Sequence, residues 1–318
     1  MPCQSTSKNT LIQHPASPAE KVRTYVGIDV GASWLDVCIR PENGAEDHSF
    51  RVANDPSGCK KIGRALKKVT VACVVCEATG KLERLIVRCL GQQGLPVAVL
   101  NPAQSVNFRK ACGKIAKTDK LDAALLARFG QVMQPVSRPL PDEQVLALRE
   151  LVVRRRQLVT SHTAESNRSL RTESLLAKRQ IMVLLRLLDR QIKELDKALQ
   201  AQIAAFPEFR AKVDLLLSIP GIGPVVALTL VAELPELGAI QDGALSALVG
   251  LAPMNNDSGQ RLRRAKCKGG RKSVRTVLYL AAMAARRFNK PIAAFYERLV
   301  ARGKPKLVAL NAAMRKLL

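Results

Sequence analysis

The stretch YVGIDVGASWLDVCI, residues 25–39, decides the fold of the first half of the chain. Two short apolar strands begin in it, Tyr25 to Ile28 and Trp34 to Arg40, and Asp29 directly follows the first of them. Similar patterns predict strands at 48–53, 69–76 and 95–100, and helices at 56–68, 81–92 and 119–129. Three strands of antiparallel type followed by alternating helices and strands predict an α/β sheet.

The acidic residues of this region stand at positions suited to a shared site. Asp29 and Glu77 each end an apolar strand, and an open α/β sheet brings such residues to one edge. Asp119 and Asp122 are three residues apart on a predicted helix and so share one face. Carboxylates are the hard oxygen ligands that Mg²⁺ prefers, and two such ions can hold the attacking and leaving oxygens of a phosphodiester. Each acid taken alone could equally be a helix cap or a turn residue.

The charge of the chain predicts a polyanionic partner. Its 318 residues include 51 Lys and Arg against 26 Asp and Glu, a formal net charge of +25. The net charge is +8 over 1–135, +2 over 136–252 and +15 over 253–318. Aromatic residues make up only 3%, which disfavours binding through stacked bases and favours contacts to the phosphate backbone.

The last segment holds the densest group of basic residues. We expect nucleic-acid phosphates to contact them, although a solvated cationic face is the ordinary alternative. They are Arg261, Arg263, Arg264, Lys266, Lys268, Arg271, Lys272 and Arg275. Upstream, IPGIGP at 219–224 has the form of a helix-hairpin-helix turn, in which Gly221 and Gly223 would leave backbone N–H groups open to a phosphate. A plain helix connector has the same composition.

The middle of the chain has the pattern of long helices. The heptad register breaks between Ser161 and Ser174, so a solvated spacer and a dimerising coiled coil both remain open. Residues 1–22 are rich in Ser, Pro and Gln and predict a disordered leader without the apolar core of a secretory signal.

The apolar stretches and the cysteines indicate the compartment. No stretch is long and apolar enough to span a membrane, which predicts a soluble protein of the cytoplasm with no membrane partner. The eight cysteines are expected to be reduced thiols. Cys73 and Cys76 have a metal-site spacing, but they lie inside an apolar strand, which disfavours zinc.

Three strings in the first half, YVGIDVGASWLDVCI, VCEATG at 75–80 and KTDKLDAALLAR at 117–128, together resemble a known family. It is the one-ten family of insertion-sequence transposases, which includes the eleven-eleven subgroup, and the strings resemble its RuvC-like DEDD domain. In the second half, three more strings are similar to that family's carboxy-terminal transposase domain: LSIPGIGPVVALTLVAEL at 217–234, LVGLAPMNNDSG at 248–259 and RRAKCKGGRKSVRTVLYLAA at 263–282. The resemblance departs at Leu318, where the chain stops and helices of this kind usually run on.

The resemblance implies an RNase H-like fold in which Asp29, Glu77, Asp119 and Asp122 bind Mg²⁺, with two ions in each assembled site. It also implies that Ser258, otherwise an ordinary turn residue, is the nucleophile that attacks a DNA phosphate and holds the broken end covalently. The implied organisation is a RuvC-like domain at 23–135, a helical connector at 136–210 and a mainly helical transposase domain at 211–318.

The implied partners are nucleic acids and further copies of the chain. They are the DNA of the element ends and target, a structured guide RNA encoded in the element's flanks, and a homo-oligomer, dimer or tetramer. The expected activity is that of a recombinase that excises and inserts its own mobile element by serine-linked strand exchange.

Three rival functions make different predictions. A RuvC-type junction-resolving nuclease would use the four acids with water and leave no protein–DNA adduct. An actin-like or sugar-kinase ATPase would account for GIDVGAS at 27–33, but no second glycine-rich phosphate loop follows and the charge of +25 stays unexplained. A non-catalytic architectural DNA binder would tolerate loss of all four acids.

Overall fold

The computed structural model describes residues 22–113, 119–137, 142–255 and 265–318, except for the side chains of Asp119 and Lys120. Most of the predicted leader therefore lies outside the described residues. The chain divides into two compact units, Met1–Leu140 and Pro141–Leu318.

The first unit is built on the predicted α/β sheet, which the structure confirms. The strands are β1 (Arg23–Val30), β2 (Trp34–Pro41), β3 (His48–Ala53), β4 (Thr70–Glu77) and β5 (Val97–Leu100). The helices are α1 (Pro56–Leu66), α2 (Arg84–Gly91), α3 (Pro102–Ala111) and α4 (Asp119–Met133). The strand order is β3-β2-β1-β4-β5; the first three are antiparallel, and β4 and β5 run parallel to β1.

Helices cover both faces of this sheet, which explains why its central strands are apolar at nearly every position. On one face, Val26 and Ile28 of β1 pack in one cluster with Ile62 of α1 and Leu90 of α2. On the other face, Tyr25 of β1 packs with Val75 of β4 and with side chains of α4. The sequence analysis did not predict α3, which begins with a capping box between Asn101 and Gln104.

The second unit is mainly helical and has one short β-ladder. Its helices are α5 (Glu143–Ser169), α6 (Leu175–Ala205), α7 (Pro207–Leu217), α8 (Pro224–Glu233), α9 (Asp242–Val249), α10 (Lys272–Phe288), α11 (Lys290–Ala301) and α12 (Lys306–Leu317). Two-residue strands β6 (Pro253–Met254) and β7 (Lys266–Cys267) pair antiparallel.

The long helices α5 and α6 form an antiparallel pair within the chain, where the sequence pattern left a solvated spacer and a dimerising coiled coil open. Arg155 donates to Asp196 at 2.5 Å, and His162 lies 3.1 Å from Asp189. Residue numbers therefore increase along α5 in the direction in which they decrease along α6. The break in register is the turn between the two helices.

The connector helices share a core with the carboxy-terminal helices. Leu148 and Val152 of α5 are buried in one cluster with Leu230 of α8 and Leu278 of α10. The region expected at 136–210 as a separate connector thus folds, from residue 142 onward, with the helices that follow it. Among the described helices, none combines the length and apolarity that crossing a membrane requires.

Candidate active site

Two of the predicted acids end neighbouring parallel strands. Ile28 of β1 is in register with Cys76 of β4, so Asp29 and Glu77 occupy the next positions on adjacent strands. Both side chains are half-buried. The structure therefore brings Asp29 and Glu77 to one edge of the sheet, at the carboxyl ends of β1 and β4.

Helix α4 reaches this edge because β1 has no side chain at Gly27. A Cβ built on Gly27 would lie 2.0 Å from the Ala123 carbonyl oxygen and 2.4 Å from the Ala127 nitrogen. Farther back along β1, Tyr25 is level with Gly130 of the same helix. The helix thus runs antiparallel to β1, and its first turn, which contains Asp122, lies level with Asp29.

Asp122 is held in place by an arginine from α3. Its side chain is 11% exposed, that of Arg109 is 17% exposed, and Arg109 Nη2 donates to Asp122 Oδ1 at 2.5 Å. A largely buried carboxylate needs such a partner because desolvation penalises the isolated charge. The side chain of Asp119, one turn earlier on α4, lies outside the described residues.

The donor set at this edge fits a hard divalent cation by its chemistry. Asp29, Glu77 and Asp122 supply carboxylate oxygens of the kind Mg²⁺ binds. Within the described residues, no three His, Cys, Asp or Glu side chains are grouped closely enough to hold an ion. The four-carboxylate ligand set therefore stays a prediction.

The sequence analysis missed three charged residues around this edge. Asp36 of β2 is the direct cross-strand partner of Asp29, so both point to the same face of the sheet. Arg51 of β3 donates to both Asp36 oxygens, at 2.9, 3.1 and 2.8 Å. The alternation of β2 could have placed Asp36 on this face, whereas no local pattern marks Arg109.

The cysteine pair with metal-site spacing does not form a site. Cys73 packs on the α4 face of the sheet and Cys76 on the α1–α2 face, because positions three apart on a strand point in opposite directions. Burial raises the pKa of the Cys73 thiol to about 11 and that of Cys76 to about 12. Both are core side chains that favour the neutral thiol.

In the second unit, Gly221 and Gly223 lie in the turn between α7 and α8. Gly221 has a φ of +105°, and a Cβ there would lie 2.6 Å from the Ala285 Cβ of α10. Its lack of a side chain is thus explained by close packing against that helix. Gly223 caps the amino terminus of α8, and nothing described lies within 4 Å of a Cβ built on it. Phosphate binding by either glycine stays a prediction.

The basic segment divides into two kinds of side chain. Lys266, Lys268 and Lys272 are exposed. Arg271 and Arg275 are half-buried and donate to groups of their own unit. The predicted nucleophile and three predicted basic contacts lie outside the described residues: Ser258, Arg261, Arg263 and Arg264.

Comparison with known proteins identifies the family. Residues 26–176 match a family model described as "Transposase", and residues 213–297 match one described as "Transposase IS116/IS110/IS902 family". The chain belongs to the IS110 family of transposases. As an IS110-family transposase or recombinase it is an enzyme that acts on DNA, and residues 26–176 match the DEDD transposase domain of that family.

Two curated relatives of this transposase align over nearly its whole length, and a third aligns over a part of it. The pilin gene-inverting proteins of Moraxella bovis and Moraxella lacunata are each 27% identical over 93% of this chain and 94% of their own. An uncharacterized 43.6 kDa protein of insertion element IS110 from Streptomyces coelicolor is 30% identical over 37% of this chain and 30% of its own. Among solved structures, T. thermophilus RuvC in complex with a Holliday junction substrate covers 38% of this chain and 100% of its own, with 18% identity and a TM-score of 0.25.

Proposed function

We propose that this transposase is a Mg²⁺-dependent, site-specific DNA recombinase that excises and inserts its own element through a serine-linked DNA intermediate. The observation that carries the proposal is the docking of α4 on Gly27, which puts the first turn of α4 level with Asp29, whose neighbour at the end of β4 is Glu77. Carboxylates at a sheet edge are what a phosphodiester-cleaving metal site requires.

The acids Asp29, Glu77, Asp119 and Asp122 would hold the divalent ions. When bound, these ions supply Lewis-acid stabilisation of the charge that develops around phosphorus. Asp29 and Glu77 are fixed by strand pairing, and Asp122 by its contact with Arg109. A site built on strands and a packed helix keeps its ligands in fixed positions, as this chemistry needs.

Ser258 would provide the nucleophile of the first transesterification. Its Oγ bonds to phosphorus, the bond from phosphorus to the leaving deoxyribose oxygen breaks, and the serine proton is balanced by protonation of that oxygen. In the second step the hydroxyl of another DNA end attacks the phosphoserine, and the serine leaves with a proton. One phosphodiester is exchanged for another, so no ATP is consumed.

Guidance by an element-encoded RNA completes the proposal. The net charge of +25 and the aromatic content of 3% support recognition of nucleic-acid backbone and shape. In such an arrangement base pairing, rather than side chains, chooses the DNA sequence. Sequencing the RNA that co-purifies with the protein, expressed together with its native flanking DNA, tests this part. A discrete species from the flanks supports guidance, and heterogeneous RNA contradicts it.

A homo-oligomer would bring the acids and the serine of different copies to the same DNA. Support comes from large apolar side chains exposed around the turn between α5 and α6. Leu170 is 84% exposed, Leu175 83% and Leu176 65%. Apolar side chains grouped at one end of a helix pair are typical of an interface.

A denaturing-gel assay with element-end DNA, Mg²⁺ and the RNA that co-purifies with the protein tests the chemistry. The unmodified protein should form a covalent protein–DNA adduct, and Asp29→Asn, Glu77→Gln and Ser258→Ala should each abolish it. The matched control is Asp36→Asn, which removes an acid beside Asp29 that is not a predicted ligand and should keep adduct formation.

Other outcomes of this assay contradict the proposal. Cleaved ends without an adduct from the unmodified protein would instead indicate a RuvC-type nuclease that uses water. An adduct that survives Ser258→Ala would exclude Ser258 as the nucleophile. Undiminished DNA binding with no cleavage in any sample would indicate an architectural binder.

A further inference from the structure

We propose that Gly250, Gly270, Arg271 and Arg275 form a clamp that fixes the two ends of the segment carrying Ser258. In this role Arg271 and Arg275 are positioning residues and not phosphate contacts. The inference rests on the proposed function, since it concerns the placement of the proposed nucleophile. All four clamp residues are described by the structure.

The first part of the clamp is a crossing of two backbones at glycines. A Cβ on Gly250 would lie 2.2 Å from the Gly269 carbonyl oxygen, and a Cβ on Gly270 would lie 2.2 Å from the Gly250 nitrogen. Both glycines have positive φ, +80° and +70°. Only glycine allows this backbone conformation together with this approach.

Hydrogen bonds hold the two chain segments together on either side of the crossing. On one side the Arg271 backbone N–H donates to the Leu248 carbonyl at 3.1 Å. On the other, β6 pairs with β7, and Cys267 Sγ lies 3.2 Å from the Leu251 carbonyl oxygen. Residues 255 and 265, at the two ends of the segment, therefore adjoin paired backbone that is held by hydrogen bonds. These two paired chain segments form the base of the segment.

Arg275 ties both chain segments to α10. Its Nη1 donates to the Gly269 carbonyl at 2.5 Å and also approaches the Gly250 carbonyl at 3.5 Å. One of these carbonyls belongs to each of the two chain segments that cross. Because its guanidinium donates to carbonyls of both chain segments, Arg275 holds the base of the segment together.

Arg271 ties the same base to the end of α8. It makes a bidentate ion pair with Glu236, at 2.5 and 2.6 Å, and Nη1 also donates to the Glu233 carbonyl at 2.9 Å. The Glu233 carboxylate, only 7% exposed, accepts from Ser273 and from Arg156 of α5. The guanidinium fork of Arg271 is thus engaged by a carboxylate, which disfavours its use on a phosphate.

Fixing the segment matters because nucleophilic attack depends on position. A displacement of about 1 Å of a reacting group can lower a rate about a hundredfold. The clamp restricts where the ends of the segment can lie, and its two guanidinium groups are already engaged, Arg271 by Glu236 and Arg275 by backbone carbonyls. Phosphate contacts are then left to exposed lysines such as Lys268 and Lys272.

Two adjacent glycines give a matched pair of variants. Gly269 and Gly270 have φ values of +69° and +70°, but a Cβ on Gly269 has nothing described within 4 Å. Gly270→Ala should lower the single-turnover rate of adduct formation about a hundredfold. It should leave the DNA concentration for half-maximal rate unchanged, and Gly269→Ala should stay within a few-fold of the unmodified protein.

The salt dependence of DNA binding separates positioning from phosphate contact. A plot of log affinity against log salt concentration has a negative slope, and each lost phosphate contact makes that slope shallower by about 0.9. Arg271→Gln and Arg275→Gln should slow adduct formation and leave this slope unchanged. Lys268→Gln and Lys272→Gln should each make the slope shallower. Combining Arg271→Glu with Glu236→Arg should restore part of the rate, and thermal melting checks that each variant is folded.

The outcomes distinguish the clamp from the proposed function. Equal adduct rates in Gly269→Ala and Gly270→Ala, or slopes made shallower by the two arginine variants, would overturn the clamp alone. Absence of an adduct from the unmodified protein would overturn the serine mechanism, and the clamp with it. If Gly270→Ala does not fold, Arg275→Gln decides the question by its rate and slope.

Discussion

At the scale of single residues, the contact between Arg109 and Asp122 makes the most direct prediction. Arg109→Gln should lower the free energy of unfolding by about 3 kcal/mol, because it leaves a largely buried carboxylate without its charge partner. Adding Asp122→Asn should recover much of that loss. Urea denaturation at pH 7 measures both variants.

The matched control is Arg51→Gln, because Arg51 is 50% exposed and its pair with Asp36 is screened by solvent. Asp36 is 14% exposed, but a pair with one solvent-exposed partner contributes less than a buried pair, about 1 kcal/mol. A loss for Arg109→Gln no larger than that for Arg51→Gln would contradict the importance given to Arg109.

The buried cysteines predict a loss of stability in alkali. Burial, and for Cys59 also the neighbouring Cys89, raises the thiol pKa to about 12 in Cys59, about 11 in Cys73 and about 12 in Cys76. Unfolded thiols ionise near pH 9, so the unfolded chain releases protons there while the folded chain does not. Stability should therefore be constant below about pH 9 and fall as the pH rises toward 11 to 12.

Urea denaturation between pH 8 and pH 10.5 measures this fall. Replacing Cys59, Cys73 and Cys76 with alanine should flatten it, although alanine also lowers stability at every pH by removing buried sulfur. An unchanged slope in the triple variant would show that other groups cause the alkaline loss.

The position of a site residue in the fold was predictable where the apolar period of a strand or helix determined it. Asp29 and Glu77 could be located because each ends an apolar strand, and the sheet confirms their common edge. Arg109 could not, because its role arises from α3 folding back on α4, and nothing local in the sequence encodes that contact. Gly221 was interpreted as a phosphate contact, whereas its packing against Ala285 depends on a helix more than sixty residues later.

At the scale of elements, Gly27 controls how closely α4 approaches β1. Gly27→Ala would force Cβ against the backbone of Ala123 and Ala127 and should lower the free energy of unfolding by about 1–3 kcal/mol. It should also abolish DNA cleavage, since it displaces the first turn of α4 from Asp29. Denaturation and the adduct assay measure the two effects.

Gly44→Ala is the control for this substitution. It has a φ of +79° and open space around its Cβ, so only backbone strain of about 1 kcal/mol is expected, with cleavage retained. Full cleavage by a stably folded Gly27→Ala would show that α4 need not lie so close to β1.

Element boundaries followed from the sequence to within a few residues where the apolar period was strong. The third strand is observed at its predicted bounds, His48–Ala53. Helix α3 was missed because it is short and only weakly amphipathic, although Asn101 and Gln104 form a recognisable capping box. The turn between α5 and α6 explains a heptad break that the sequence alone left ambiguous.

At the scale of the whole molecule, the positive charge is distributed unevenly along the chain. The acidic edge belongs to a first unit of moderate positive charge, and the last 66 residues carry +15. A negatively charged substrate is attracted by the basic segment and repelled by carboxylates unless cations neutralise them. The combination is what a metal-dependent enzyme acting on DNA needs, and neither half would indicate it alone.

The exposed apolar turn between α5 and α6 predicts the assembly state. Leu175 and Leu176 are 83% and 65% exposed, so replacing both with Glu removes almost no packing within the chain. If a second copy covers them, the double variant should be monomeric by light scattering at high salt, where the unmodified protein is an oligomer, and should keep its urea stability per chain. Leu307→Glu on α12, where Leu307 is 62% exposed, should leave the mass unchanged. An unmodified protein that is monomeric, or a double variant of unchanged mass, would contradict an interface at this turn, because burial of large apolar side chains is what would stabilise it.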